Sequence, residues 1–236
     1  MKPNILITGG SGQLGQMLIK GLMADYFIWN FDIKSEELSG HHRSVDLSNF
    51  KDLETAFGKL PLLTAIVHFG ADPYPFASWE LVAQHNLDAT AHIYECARIY
   101  KVPKVIFASS AHAIGAYPGY PDHIEGKEEL TPNDPARPDG FYGLSKVTGE
   151  VMGRMYHDLY GISSINLRIG HTTGSTLRDP NLDTVELYED DLVALVRGSI
   201  EANVGYGVYF GVSDNPGRFL SIENAKKDLG YSPKKR

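Results

Sequence analysis

Apolar positions along the first two-thirds of the chain switch repeatedly between two rhythms. Short, mainly apolar segments, the mark of strands buried on both faces, occupy residues 4–8, 27–32, 63–70, 104–109 and 163–168, and a further strand is expected at 43–47. Between them apolar residues recur at three- and four-residue spacing: Leu14, Met17, Leu18 and Leu22, then Leu53, Ala56, Phe57 and Leu60 within 49–60, then residues 79–100 and 142–160. Such spacing lays one face of a helix on a core. Strands alternating with helices predict an α/β fold with a doubly wound parallel sheet, its crossovers right-handed.

Two stretches break the rhythm. Residues 111–140 show no regular element and carry Pro118, Pro121, Pro132, Pro135 and Pro138. A loop this long inside a compact domain is usually functional, and it is read as a flap on the substrate side. After Gly170 the pattern weakens to a helix at 188–202, a strand at 207–212 and a terminal helix near 221–229. The expected division is residues 1–170 as a nucleotide-binding domain with the catalytic groups, and residues 171–236 as a small substrate-binding portion packed on it.

The first strand ends in Thr8-Gly9-Gly10-Ser11-Gly12-Gln13-Leu14-Gly15. It reads as G-x-x-G-x-x-G or as G-x-G-x-x-G, and the physics is the same. One glycine makes the tight turn, one lets the backbone approach a pyrophosphate, and one lets helix pack on strand. The helix N-terminus that follows offers N–H groups to phosphate. A glycine pattern is weak in a chain with 24 glycines; following a strand and opening a helix is what makes it specific. Asp32 ends the second strand, 17 residues after Gly15. There a carboxylate accepts from ribose hydroxyls and repels a 2′-phosphate, favouring NAD over NADP. A turn before Ile33-Lys34-Ser35 would also explain it. Asp46-Leu47 suits adenine contact or turn chemistry before Ser48.

The second constellation is Tyr142-Gly143-Leu144-Ser145-Lys146. Positions i and i+4 share a helix face, so the Lys146 ammonium is expected to lower the Tyr142 pKa and make it a base for a hydroxyl proton. Tyr231 and Lys235 repeat that spacing in a tail, so position is what distinguishes Tyr142: it opens the helix after the fifth strand. Ser109 and Ser110 end that strand. Ser110 is placed to align the reacting oxygen, or the two hydroxyls satisfy backbone groups. His112 is read as a substrate contact or as a structural histidine. Arg168 is read as binding a carboxylate or hydroxyl-rich substrate, or as pairing with a flap acid such as Asp139.

Composition narrows the setting. The 236 residues carry a net charge of −7, which argues against nucleic acid and anionic membrane, and Lys234-Lys235-Arg236 is read as a solvated tail. Cys96 is the sole cysteine, which excludes an intrachain disulfide and fits a reducing compartment. Met1-Lys2-Pro3 runs directly into a strand pattern, so no signal peptide is expected, and no apolar run approaches the roughly 20 residues of a membrane span. The protein is expected to be cytoplasmic. His41-His42 has no metal-ligand spacing, and no metal is expected.

Gly9/Gly12/Gly15, Asp32, Asp46-Leu47, Asn86, Ser110 and Tyr142/Lys146, in this order, resemble the extended short-chain dehydrogenase/reductase family, over at least residues 4–170 and more loosely at Asp228-Leu229-Gly230-Tyr231-Ser232-Pro233. The resemblance implies a Rossmann fold and bound NAD. It implies Ser110, Tyr142 and Lys146 as the catalytic set. The cofactor contacts it implies are Gly9, Gly12, Gln13, Leu14, Gly15, Asp32, Asp46, Leu47, Gly70, Asn86, Tyr142 and Lys146. It also implies a homodimer through the helices carrying Asn86 and Tyr142. Residues 105–110 with His112 and Ile114-Gly115, residues 135–140 and residues 167–170 are most similar to the uronate dehydrogenases, which oxidise C1 of a hexuronic acid to a lactone. That likeness implies a carbohydrate substrate held by Ser110, His112, Tyr142 and Arg168. Ala111 stands where those enzymes have Asn, and Pro73 aligns with a substrate-contacting Ser, so the hydroxyl pattern accepted is expected to differ. The alternative within the family is a nucleotide-sugar epimerase or dehydratase, against which the 66 residues after Gly170 argue by their small number.

Overall fold

A computed structural model describes residues 2–34, 41–172 and 180–235, without the side chains of 180 and 181. The described residues form β1 (Asn4–Thr8), α1 (Gln13–Leu22), β2 (Phe27–Asp32), β3 (His42–Ser44), α2 (Phe50–Phe57), β4 (Ala65–His68), α3 (Trp79–Val82), α4 (Ala89–Ile99), β5 (Lys104–Ser110), α5 (Phe141–Tyr160), β6 (Ser163–Ile169), β7 (His171–Thr172), β8 (Glu186–Leu187), α6 (Glu189–Glu201), β9 (Tyr206–Gly211) and α7 (Glu223–Leu229). The chain therefore follows the expected alternation. The expected helix at 79–100 is interrupted by a π-helical turn, Ala83–Asp88, which joins α3 to α4.

Among the described residues the main sheet runs β3-β2-β1-β4-β5-β6-β9, every pair parallel. Alternate side chains on each strand feed opposite cores. Ile5, Ile7 and Ile106 join the core under α1, α6 and α7. Leu6, Phe31 and Val105 join the one under α2, α4 and α5. This is the Rossmann-like, doubly wound arrangement, and strand order reverses at β1 and β4, where such sheets open a crevice. Asn49 caps α2 by accepting from the Asp52 N–H, and Ser78 caps α3 in the same way from Leu81.

Three features were not legible in the sequence. The C-terminal stretch is woven into the main sheet: β9 pairs with β6 from Ser164↔Tyr206 to Ile169↔Gly211. The flap between β5 and α5 is anchored to that stretch, since the Leu130 N–H donates to the Phe219 carbonyl and the Ser221 N–H to the Leu130 carbonyl, both at 2.8 Å. The basic end is also docked rather than free: Lys234 Nζ lies 2.6 Å from Asp190, and its N–H donates to Asp191 at 3.1 Å. Arg236, like Ser35 and Met1, lies outside the described residues. Tyr231 is buried and donates to the Val212 carbonyl at 2.9 Å, so the Tyr231–Lys235 spacing serves packing.

Gly198 on α6 meets α7 so closely that a Cβ there would lie 2.3 Å from the Leu229 carbonyl oxygen. An exposed helical glycine gains about 1 kcal/mol on replacement by alanine. Gly198→Ala is expected instead to lose ~1–3 kcal/mol in urea unfolding, through overpacking. A gain in stability would show that the two helices are not in this contact.

Candidate active site

The C-terminal ends of β1, β2, β4, β5 and β6 open into one cleft of roughly 780 Å³. Its first half is built from backbone. Gly9 adopts φ +73°, and a Cβ on it would lie 2.7 Å from the Gly70 N. A Cβ on Gly15 would lie 2.2 Å from the Gly9 carbonyl oxygen. These contacts set Gly9 as the turn residue and Gly15 as the helix-packing residue, the spacing Gly9/Gly12/Gly15. Gly12 is the N-cap of α1 and supplies no side-chain cap, and with Gln13, Leu14 and Gly15 it brings the positive end of that helix to the cleft.

Asp32 is buried at the end of β2. Its Oδ2 accepts from the Ser11 N–H at 3.0 Å and its Oδ1 from the Lys34 N–H at 2.9 Å, so the carboxylate also braces the glycine loop. Asn30, which sequence reasoning missed, does the same two residues earlier on β2: its Oδ1 accepts from the Gly10 N–H at 3.1 Å. Asp46 lines the cleft and makes the expected turn, accepting from the Ser48 N–H at 2.9 Å and its hydroxyl at 2.7 Å. Gln13, Leu14, Leu47 and Gly70 line the same half. A backbone cradle with an uncapped helix end and a carboxylate at the β2 terminus fits NAD.

The second half carries the polar side chains. Tyr142 sits in the first turn of α5, Lys146 one turn further, and Ser110 at the end of β5; all three line the cleft. Gly143 is required between them because a Cβ there would lie 2.3 Å from the His112 carbonyl oxygen. Lys146 Nζ lies 5.2 Å from the Tyr142 ring centre and 5.3 Å from that of Phe107.

Burial pushes the Tyr142 pKa up to about 12, with Asp72 and Asp139 adding to the rise and a hydrogen bond with Ser110 opposing it. Burial also pulls Lys146 down to about 8. The lowering of Tyr142 by Lys146, expected from spacing, is not among the influences on its pKa, and desolvation governs it instead. The Ser110 hydroxyl further accepts from the His112 N–H at 3.2 Å, and His112 lines the cleft with its Nδ1 2.7 Å from Asp139 Oδ2.

Two expected contacts lie elsewhere. Arg168 is absent from the cleft lining. It faces the other side of β6, 4% exposed, with Nε and Nη2 each donating at 2.8 Å to the two oxygens of buried Glu150. The salt bridge foreseen for it exists, with an α5 acid as partner rather than Asp139. Asn86 is buried in the π-helical turn and does not line the cleft either. It accepts from the Asp72 N–H at 2.8 Å and donates to Ser145 at 3.2 Å, tying the loop after β4 to α5. It therefore organises the site from behind.

Sequence reasoning also missed two buried groups. Glu150 lies on the Tyr142/Lys146 face of α5 at a further four residues, and receives the Ser109 hydroxyl at 2.5 Å; that i+8 spacing was the available signal. His68 ends β4 between Thr8 and Thr90, 2.7 and 3.2 Å away, and burial with nearby Lys146 pushes its pKa down to about 3, which keeps it neutral. Among the described residues no group of His, Cys, Asp and Glu is arranged to hold a metal, and no helix is long and apolar enough to cross a membrane.

The comparisons agree with this geometry. Residues 5–187 match the NAD dependent epimerase/dehydratase family, and the chain belongs to that family, whose Rossmann-fold members are the extended short-chain dehydrogenases/reductases. It is 34% identical over 234 residues to a uronate dehydrogenase of Pseudomonas syringae pv. tomato, covering 98% of this chain and 81% of that one. It is 33% identical over 247 residues to an NAD-dependent glucose-6-phosphate dehydrogenase of Haloferax volcanii, covering 99% and 94%. A variant of the uronate dehydrogenase from Agrobacterium tumefaciens, solved in complex with NAD, superposes with a TM-score of 0.84 at 30% identity, covering 99% of this chain and 85% of that one.

Removing one partner of a buried ion pair leaves the other uncompensated, at a cost of about 3–5 kcal/mol. Arg168→Met is expected to lose stability on that scale in denaturant unfolding, and Glu150→Met combined with it should recover much of the loss. A stable single variant with a raised KM for substrate would return Arg168 to the cleft.

Proposed function

We propose that the protein is an NAD-dependent dehydrogenase that oxidises a hydroxyl of a sugar or sugar acid, with C1 of a hexuronate-like substrate, giving a lactone, as the leading case. The observation that carries this reading is that Ser110, Tyr142 and Lys146 line one cleft, Lys146 one helical turn after Tyr142, facing a glycine cradle. The relatives named for uronate and glucose-6-phosphate oxidation support a carbohydrate substrate.

In this account Ser110 holds the reacting hydroxyl and Tyr142 Oη takes its proton. Lys146 orients the cofactor ribose and, when charged, stabilises the phenolate. Asp32 accepts from the adenosine ribose, and Gly9, Gly12 and Gly15 admit the pyrophosphate. NAD, when bound, accepts the hydrogen and two electrons that leave the carbon, becoming NADH. The positive ring of the oxidised cofactor also acts against the burial that holds Tyr142 near 12. His112 contacts the substrate, and residues 171–236 supply the far wall through His171, Thr172 and Val185, which line the cleft. Ala111 and Pro73 line it too and offer no side-chain hydrogen bond, which shifts the hydroxyl pattern accepted.

A homodimer is part of the same proposal. Leu144, Val151, Met155 and Leu159 are exposed on α5 at spacings that share one face, and α4 packs beside it. A cytoplasmic setting is supported by Cys96, whose buried thiol is raised to about 12 and is inert as a nucleophile.

Purified protein with NAD⁺ and a panel of uronic acids, aldoses and sugar phosphates should form NADH, followed at 340 nm, with a rate of oxidation that rises above pH 7 as the Tyr142 proton becomes easier to remove and stops rising as Lys146, held near 8, loses its charge. Absence of NADH with every sugar, or interconversion of a nucleotide sugar without net NADH, would overturn the reading in favour of an epimerase. Tyr142→Phe should lower kcat about a hundred- to ten-thousand-fold and leave NAD⁺ binding intact. Equal turnover by that variant would remove Tyr142 from the proton transfer. Val151→Glu should convert a dimer to a monomer in sedimentation equilibrium, and a monomeric unsubstituted protein would refute the dimer.

A further inference from the structure

His112 stands between the cleft and an acid behind it. Its ring lines the cleft and meets the Tyr142 ring edge-on, centres 5.5 Å apart at 82°. Its Nδ1 lies 2.7 Å from Asp139 Oδ2, and Asp139 itself does not line the cleft. Three backbone hydrogen bonds hold this approach: the Asp139 N–H to the His112 carbonyl at 3.4 Å, the Arg137 N–H to Ala113 and the Ala116 N–H to Arg137, both at 2.9 Å. The local sequence leaves room for nothing else. A Cβ on Gly115 would lie 2.1 Å from Asp139 Oδ2, and one on Gly143 would lie 2.3 Å from the His112 carbonyl oxygen.

A carboxylate accepts and cannot donate, so a neutral imidazole beside it carries its proton on the facing nitrogen. The other nitrogen is then left with a lone pair. We infer that Asp139 is a positioning residue that fixes His112 as the Nδ1–H tautomer, so that Nε2 accepts a hydrogen bond from a second hydroxyl of the substrate, beside the one that Tyr142 deprotonates. The ligand this selects is a polyol with neighbouring hydroxyls, as on a sugar ring. A bare alcohol fills only the Ser110–Tyr142 half. With hydrogen-bonding side chains lacking at Ala111 and Pro73, this acceptor carries a larger share of the recognition. The inference rests on the proposed oxidation of a sugar hydroxyl for its ligand, and on the Asp139–His112 geometry for its tautomer.

The test has two arms. In protein labelled with ¹⁵N-histidine, with the His112 signals assigned by their loss in His112→Gln, the unsubstituted protein at pH 8 should show His112 protonated on Nδ1. Asp139→Asn should show a shift toward the Nε2–H form. An Nε2–H tautomer in the unsubstituted protein overturns the inference, and this arm needs no turnover. In the second arm Asp139→Asn should raise KM for the sugar roughly tenfold or more, as loss of an orienting partner does, with NAD⁺ affinity unchanged. The same substitution in the His112→Gln background should add no further loss. Equal losses in both backgrounds, or a parallel loss of NAD⁺ binding, would make Asp139 a support of the flap only. Absence of turnover by the unsubstituted protein would count against the proposed function, while the tautomer would still decide the role of Asp139.

Discussion

Backbone meets backbone at the mouth of the sheet with no space for a side chain. Gly9 turns with φ +73° against Gly70 at the end of β4, and the Gly9 carbonyl lies where a Cβ of Gly15 would be. This close approach fixes how α1 leaves β1, and it brings the uncapped end of α1 to the point where strand order reverses. Asp32 and Asn30 are placed by it as well, because both accept from N–H groups of the same loop. A larger residue at Gly9 or Gly15 would move the loop, the helix and the carboxylate together.

Across the cleft the governing term is desolvation. Lys146 and Tyr142 lie on one face of α5 against β5, and burial disfavours the charged form of each. The buried charges beneath them are compensated as physics requires: Glu150 receives both Arg168 and Ser109, while His68 remains neutral between two threonines. The half of the cleft that does chemistry thus rests on a buried polar layer, in which Arg168 Nη1 is left without a hydrogen-bond partner, and Tyr142 is left with a proton that only a new positive charge or a bound substrate makes easy to remove.

Much of this was legible in the chain. Strand and helix order, the glycine loop, Asp32 and the Tyr142–Lys146 pair follow from apolar periodicity and from motif spacing, while Ser110 joined them through the family resemblance. What was not legible depended on contacts between distant segments. Whether Arg168 points into the cleft or under it is a choice of strand face, and a shift of one residue at the end of β6 reverses it. Asn86 acts through Asp72 and Ser145, which are close only in the fold. Glu150 is visible as the third residue of an i, i+4, i+8 series, but its partner on β6 is not. The pairing of Asp139 with His112 needed the flap to turn back on the end of β5.

The central claim is that this cleft passes hydrogen from a sugar carbon to a nicotinamide while Tyr142 takes the hydroxyl proton. The direct measurement follows deuterium placed on the reacting carbon of a sugar that is turned over. The account predicts one deuterium in the reduced nicotinamide released to solution and none in water. Deuterium retained in a sugar product with no reduced cofactor released would contradict it, and would mark internal return in place of net oxidation.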